Sequence, residues 1–472
     1  MRKRWANGMK STWQRFALNH RANVTIIFAV SSLGILLAAG GAVDFERTIS
    51  AKYALTEALD SAAIYAANLP SSTTNQARNA AVQNYVNANY NYKDDVALTG
   101  VTVTNYSDHV AVNGTVTVQS AFMQLAGVPT ITVPVGVEVQ KSGINLEVSL
   151  VLDNTGSMNS VSQGAANPAI VDMKAAAVKF VDTVMPATQG NFYTKIAVVP
   201  YNNSVNLGSS ALAASARGAI QTSPSTSTTP GYSNFKFTSA TNQTQTYPST
   251  NCVTERQGSE AYSDASTATY PVGLFYGPPG YNGCTVTPIV PLSTSASTLD
   301  AAINSMSAGN STAGQVGIAW GWYTLSPAIG LWSGNSIPAG YDKLTIADNT
   351  QKVKKIMVLM TDAEYNSAYC NGVISQPSSI PGSGSTSYQI PCSSSLGNSY
   401  AQANAVCSAA KAIGIEVYVI TFQLDTSYPQ RVALTQNCAT DAAHILNAAS
   451  STDLDAVFTG LANSIANLYV SK

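Results

Sequence analysis

Twenty consecutive residues without a charge, Val24 to Val43 (VTIIFAVSSLGILLAAGGAV), constrain everything that follows them. At 1.5 Å per residue, a helix of that length spans roughly 30 Å, the hydrocarbon thickness of a bilayer. The run exceeds the apolar core of a typical secretory signal peptide, although Gly40-Gly41-Ala42 offers the small residues of a cleavage site. Arg2, Lys3, Arg4, Lys10, Arg15 and Arg21 precede it, and Asp44 and Glu46 follow at once. By the positive-inside rule, residues 1–21 are a cytoplasmic basic segment, residues 22–43 a single transmembrane helix, and everything beyond Asp44 lies outside.

The cysteines agree with export. Cys252, Cys284, Cys370, Cys392, Cys407 and Cys438 are even in number, and all lie beyond the apolar run. None forms a C-x-x-C pair, which disfavours zinc and points to disulfides in an oxidising compartment. Chain order suggests 252–284, 370–392 and 407–438, one of about 15 possible connectivities. A free buried thiol at Cys407, in Ala-rich surroundings, is the competing reading for that residue. Beyond residue 21 the chain carries 18 basic against 25 acidic residues. With no basic stripe there, a nucleic-acid partner is not expected. Only 10% of the 472 residues are charged and 45% are hydrophobic, which favours folded β and α/β structure with polar, uncharged loops.

From Asp44 to about Asn68, Leu55, Leu59, Ala62 and Ala66 follow helical spacing, so the apolar helix is expected to continue outward until Pro70-Ser71-Ser72. Residues 95–140 turn to β-branched clusters, with Asn113-Gly114 as a hairpin signal. Residues 44–143 therefore read as the Ala-rich helix plus a small α+β domain, with Lys141-Ser142-Gly143 as the boundary. From residue 144 to 472, apolar strands alternate with helices. Strands are expected at 148–152, 195–199, 353–360 and 415–422, and helices at 169–185, 315–325, 401–413 and 452–470. Continuous apolar strands between helices imply a doubly wound, mostly parallel sheet covered on both faces. Two Ser/Thr/Tyr-rich stretches, about 203–298 and 364–400, read as disulfide-stapled insertions.

Three polar segments stand just after a strand or just before a helix: Asp153-Asn154-Thr155-Gly156-Ser157, Gly309-Asn310-Ser311-Thr312 and Thr361-Asp362. In a parallel sheet such ends gather on one rim. Carboxylates and hydroxyls together suit a small hard cation, Mg2+ or Mn2+. For the first segment alone, a helix cap fits equally well. Taken together, the three resemble a von Willebrand factor A domain with a metal-ion-dependent adhesion site (MIDAS). The resemblance covers about residues 144–470. It implies Asp153, Thr155, Ser157, Thr312 and Asp362 as metal ligands, with Ser311 competing with Thr312. Ala363 departs from the family's usual glycine after the last aspartate.

The chain as a whole resembles TadG-like proteins of tight-adherence (Flp) pilus loci. The resemblance rests on the stretch Val43–Arg47 to Asp60–Ala63, on Asn251–Arg256 and on Ala319–Pro327. It implies a single-pass protein of the bacterial inner membrane, with its bulk in the periplasm. The implied role is scaffolding or adhesion in pilus assembly or surface attachment. The expected partner is a pilus-assembly or cell-envelope protein offering an acidic side chain to the cation. A pilin-like subunit that polymerises through the N-terminal helix is the alternative.

Enzymatic function is not expected. Histidines are confined to His20, His109 and His444, no G-x-S-x-G elbow is present, and nothing joins Ser157 to His444. Without a Walker P-loop, nucleotide binding is not expected either. Trp320, Trp322 and Tyr323 read as helix packing. Tyr232, Tyr247, Tyr262, Tyr270, Tyr276 and Tyr281 fit either a contact surface or stapled loops. Glu255 and Arg256 could pair with each other or with the core, and carry no assigned role.

Overall fold

A computed structural model describes residues 20–67, 69, 73–90, 96–106, 109–140, 144–161, 167–186, 189, 192–346 and 351–467. The basic segment up to Asn19, the Pro70-Ser71-Ser72 break, the Lys141-Ser142-Gly143 boundary and the end of the last expected helix lie outside these residues. The chain divides into two compact units, up to residue 141 and from residue 142.

The first unit comprises helices α1 (His20–Ala67) and α2 (Asn75–Asn89) and strands β1 (Val96–Asn105), β2 (His109–Gln119) and β3 (Thr130–Gln140). The strands form an antiparallel sheet in the order β1-β2-β3. Helix α1 is continuous over 48 residues, about 72 Å at the standard rise. Its two halves differ. Ile27, Phe28, Val30, Ile35 and Leu36 are exposed, and this helix is long and apolar enough to cross a membrane. Ala51, Leu55, Leu59, Ala62, Ala63 and Ala66 are buried, and this stripe packs on β2 and β3. Thr74 caps α2 by accepting from the Ala77 amide, and the Arg78 side chain ties α2 back to the Ala66 carbonyl.

The expected hairpin at Asn113-Gly114 does not form. Both residues lie inside unbroken β2, opposite Gly136 and Val135 of β3. Gly114 sits under Leu55 and Leu59, where even a Cβ would already touch Leu59 at 3.5 Å. Packing against α1 thus overrides the local turn preference, and the irregularity appears instead as a register shift in β1 between Thr99 and Thr102.

In chain order the second unit runs β4 (Asn145–Asp153), α3 (Ala169–Val184), β5 (Thr194–Tyr201), β6 (Val205–Asn206), α4 (Ser210–Arg217), β7 (Gln221–Ser227), β8 (Tyr232–Thr238), β9 (Thr244–Thr254), β10 (Gly273–Tyr276), β11 (Val290–Ser293), α5 (Ala296–Ser305), α6 (Gly314–Leu325), β12 (Val353–Thr361), β13 (Tyr369–Cys370), β14 (Val373–Ile374), α7 (Ser399–Ala412), β15 (Glu416–Phe422), α8 (Pro429–Cys438), β16 (Ile445–Ala448) and α9 (Ser451–Asn467). The main sheet has six strands in the order β11-β5-β4-β12-β15-β16. All neighbours are parallel except the edge pair β11–β5. This is the doubly wound arrangement that the A-type resemblance implied.

Side chains of each strand alternate between two cores. Leu146, Val148, Leu150 and Leu152 pack with Phe180 of α3, Leu299 of α5 and Phe458 of α9. Val151, Met357 and Leu359 face the other way, onto Trp320 of α6 and Val406 of α7. Trp320, Trp322 and Tyr323 are buried there, as packing residues.

The insertions are ordered. Strands β10-β9-β8-β7 form a second sheet, with β6 on β9. Phe235, Phe237, Tyr247 and Tyr276 build a small core together with Val373 and Ile390 from the other insertion. Tyr270 and Tyr281 stay exposed. All six cysteines are bonded, as 252–284, 370–392 and 407–438. The 203–298 range was drawn too wide: Val290–Ser293 is the antiparallel edge strand of the main sheet, and α5 begins at Ala296.

Candidate functional site

Successive strands are added outward in opposite directions from β4 and β12, and the rim beyond the carboxyl ends of these two parallel strands is where open α/β sheets hold ligands. Asp153 ends β4, and Asp362 immediately follows β12. Asp153 is fully buried. Its Oδ1 accepts from the Thr155 amide at 3.0 Å. Its Oδ2 accepts from the Tyr201 hydroxyl at 2.9 Å and the Thr361 hydroxyl at 3.0 Å.

Backbone hydrogen bonds stitch the three polar segments together. The Gly156 amide donates to the Asn310 carbonyl at 2.9 Å, and the Gly309 amide to the Asn154 carbonyl at 3.0 Å. A Cβ on Gly156 would stand 3.0 Å from that Asn310 oxygen, so the approach needs a bare backbone. Thr312 is clamped to the segment after Asp362: its amide donates to Asn366 Oδ1 at 2.8 Å, and its carbonyl accepts from the Asn366 and Ser367 amides. Helix α6 brings this segment close because it presents glycine to the sheet. A Cβ on Gly317 would lie 2.5 Å from the Tyr201 ring.

The hydroxyls around this point have few protein partners. Thr155 Oγ1 and Ser157 Oγ contact each other at 3.0 Å. Ser311, the competitor of Thr312, spends its hydroxyl on the Gly382 carbonyl at 3.4 Å. Asp362 uses Oδ1 to accept from the Glu364 amide at 2.9 Å. Among the described residues, no Lys, Arg or His forms an ion pair with Asp153 or Asp362; the nearby Arg431 pairs with Glu364 at 3.0 Å. Burial, and then the Asp362 charge, push the Asp153 carboxyl up to about 7, against the pull of its hydrogen bonds. Two carboxylates and the Thr155–Ser157 hydroxyl pair, with no ion-paired cation among the described residues, are oxygen donors of the kind a hard divalent ion takes.

Tyr201 was not foreseen as a site residue, and Thr361, though part of the third polar segment, was not foreseen as a partner of Asp153. Both hold the Asp153 carboxylate, and Thr361 also accepts from the Ala363 amide at 2.9 Å. Ala363 itself adopts a left-handed conformation, φ 60°, where glycine is the residue without a steric penalty. Glu255 and Arg256 do not pair. Glu255 accepts from the Tyr369 amide at 2.8 Å, and burial pushes its carboxyl up to about 7. Arg256 donates to the Ser263 and Ala265 carbonyls and lies over the Tyr323 ring. His444 bonds Asp441 at 2.7 Å rather than Ser157.

Residues 22–69 match the family model described as "Putative Flp pilus-assembly TadE/G-like". This TadE/G-like segment coincides with most of α1. No curated protein matches the chain. Among solved structures, the chain is similar to the vWF domain of the type V pili tip protein Mfa5 from Porphyromonas gingivalis, at 13% identity and a TM-score of 0.36, covering 70% of this chain and 97% of that one. It is also similar to the pilus adhesin SpaC from Lactobacillus rhamnosus GG, at 15% identity and a TM-score of 0.36, covering 80% of this chain and 35% of that one. The pilus adhesin RrgA from Streptococcus pneumoniae gives 10% identity and a TM-score of 0.36, over 78% of this chain and 48% of that one. The chain thus spans about a third of SpaC and about half of RrgA.

Proposed function

We propose that the second unit binds Mg2+ or Mn2+ through Asp153, Thr155, Ser157, Thr312 and Asp362, and uses the ion to capture an acidic side chain of a protein partner. One observation carries this reading: a fully buried carboxylate feels a second carboxylate, and among the described residues no Lys, Arg or His pairs with either. A divalent ion supplies the missing charge. Neutral hydroxyls hold it without cancelling that charge, so the ion retains attraction for an acidic ligand. The role is binding rather than catalysis.

We assign this binding module to the bacterial inner membrane, with its bulk in the periplasm; the apolar first half of α1 and the TadE/G-like segment support that reading. The three disulfides suit that compartment. There it serves Flp pilus assembly or surface attachment, with a pilus or cell-envelope component as partner. Envelope extracts passed over the immobilised full chain test this. Retention of a partner with Mg2+, and its loss both with EDTA and in Asp153→Ala, is the expected outcome. Retention indifferent to both contradicts it. The pilin-like alternative draws on the same exposed apolar half-helix. Recovery of the chain in sheared filaments with α1 cleaved at its start would favour that alternative.

A further inference from the structure

Within the first unit, the loop between β2 and β3 is fastened to α1 at the point where the helix changes character. Asp44, the first charged residue after the apolar run, is 1% exposed. Its carboxylate accepts from three consecutive loop amides: Ala121 at 2.8 Å, Phe122 at 2.8 Å and Met123 at 2.7 Å. One turn inward, Phe122 lies against the bare backbone of Gly40: a Cβ there would sit 2.4 Å from the Phe122 side chain. The Met123 sulfur would be 3.2 Å from a Cβ on Gly41. The loop contains a 3-10 turn at Met123–Ala126 closed by Gly127 in the left-handed region.

Despite this fastening, the loop leaves apolar side chains uncovered. Phe122 is 42% exposed, Leu125 75% and Val128 38%. No charged residue occurs between His109 and Glu138. Arg47, one turn outward from Asp44, donates to the Gln119 carbonyl at 3.3 Å. Gly40 lies three residues before the end of the apolar run, a depth of about 4.5 Å at the helical rise. A loop pinned there stands level with the boundary between hydrocarbon and headgroups, where aromatic and aliphatic tips are favoured inside and arginine outside.

We infer that the Phe122–Val128 loop inserts into the bilayer interface beside α1, as a second membrane contact held at fixed depth by Asp44. Its occupant is lipid: the exposed side chains continue the exposed apolar surface of Val30, Leu33 and Leu36 on the same helix. The inference rests on the reading of α1 as a membrane anchor, and its test separates the two. Full-length protein with its disulfides intact is reconstituted in vesicles containing lipids spin-labelled at shallow or deep positions. It carries an environment-sensitive dye on a single added cysteine, Leu125→Cys, Leu36→Cys or Thr99→Cys.

The expected result is quenching at Leu125→Cys by shallow labels, quenching at Leu36→Cys by deep labels, and no lipid quenching at Thr99→Cys. Adding Asp44→Asn should release the loop, so that quenching at position 125 is lost while that at 36 persists. Quenching at 36 with a water-exposed dye at 125 would overturn the inference and leave the anchor standing. A dye at 125 shielded from aqueous iodide but untouched by the lipid labels would also overturn it, assigning the loop to a protein contact. Absence of quenching at 36 would overturn both.

Discussion

The main sheet buries charge at both of its ends, and the two ends differ in where the neutralising charge comes from. At the amino end, Lys355 of β12 and Glu147 of β4 are register partners, both fully buried and ion-paired with each other. Lys355 also donates to the Leu325 carbonyl at 2.9 Å, and Glu147 accepts from Tyr193 and the Ala339 amide. Burial pulls the Lys355 ammonium below its ordinary range, against the Glu147 charge. That end is complete within the chain. At the carboxyl end, Asp153 and Asp362 repel each other, and the hydrogen-bond partners they find among the described residues are hydroxyls and backbone amides. The same sheet thus carries one self-neutralised pair and, among the described residues, one pair without an ion-pair partner, to which the proposed function assigns an external cation.

The two ends should respond oppositely when charge is removed. Lys355→Met strands Glu147 without its partner and should cost about 3–5 kcal/mol. Denaturant unfolding measures this, and a loss within experimental error of zero would remove the distinction. Asp153→Asn should do the reverse in metal-free protein above neutral pH, stabilising it by about 1–2 kcal/mol. The sign follows from the raised carboxyl. Its folded value of about 7 lies above its ordinary 3.8, so its stabilising contribution is full at low pH and is lost as pH rises through about 7. The metal-free parent should therefore lose stability between about pH 4 and pH 7, whereas Asp153→Asn should lose less. Millimolar Mg2+ should cancel the parent's loss, because the cation replaces the proton. Parallel pH profiles for the two proteins in EDTA would break the comparison. The smallest expected effect is Ala363→Gly. Relief of the left-handed strain at φ 60°, reduced by the extra chain entropy of glycine, should raise stability by roughly 0.5–1 kcal/mol. Thermal melting checks it, and a lower melting point would show the strain to be absent.

Much of the rim was legible beforehand because it depends on where chemistry changes along the chain. Val148 to Leu152 is apolar and Asp153 is not; such a break marks a strand end whatever the tertiary context. The helix expected at 169–185 was legible by its period, and it forms at Ala169–Val184; the one expected at 401–413 forms at Ser399–Ala412. Elements defined by their partners were not. Strand β7, Gln221–Ser227, is polar throughout and exists only through pairing with β8. β11 and β16 are four residues each, too short for a periodic signal. Asn113-Gly114 misled because its turn preference is local, while Leu55 and Leu59 decide its fate from another element. Tyr201 escaped notice, and so did the role of Thr361, for the same reason: a residue that holds another's carboxylate carries no mark of it in its neighbours.

Isothermal titration of the purified, chelator-stripped chain with Mg2+ and Mn2+, against Asp153→Ala under identical conditions, tests the central claim most directly. Saturable one-site binding to the parent, abolished in Asp153→Ala, is the predicted result. No binding to the parent, or equal affinity in both proteins, would contradict it.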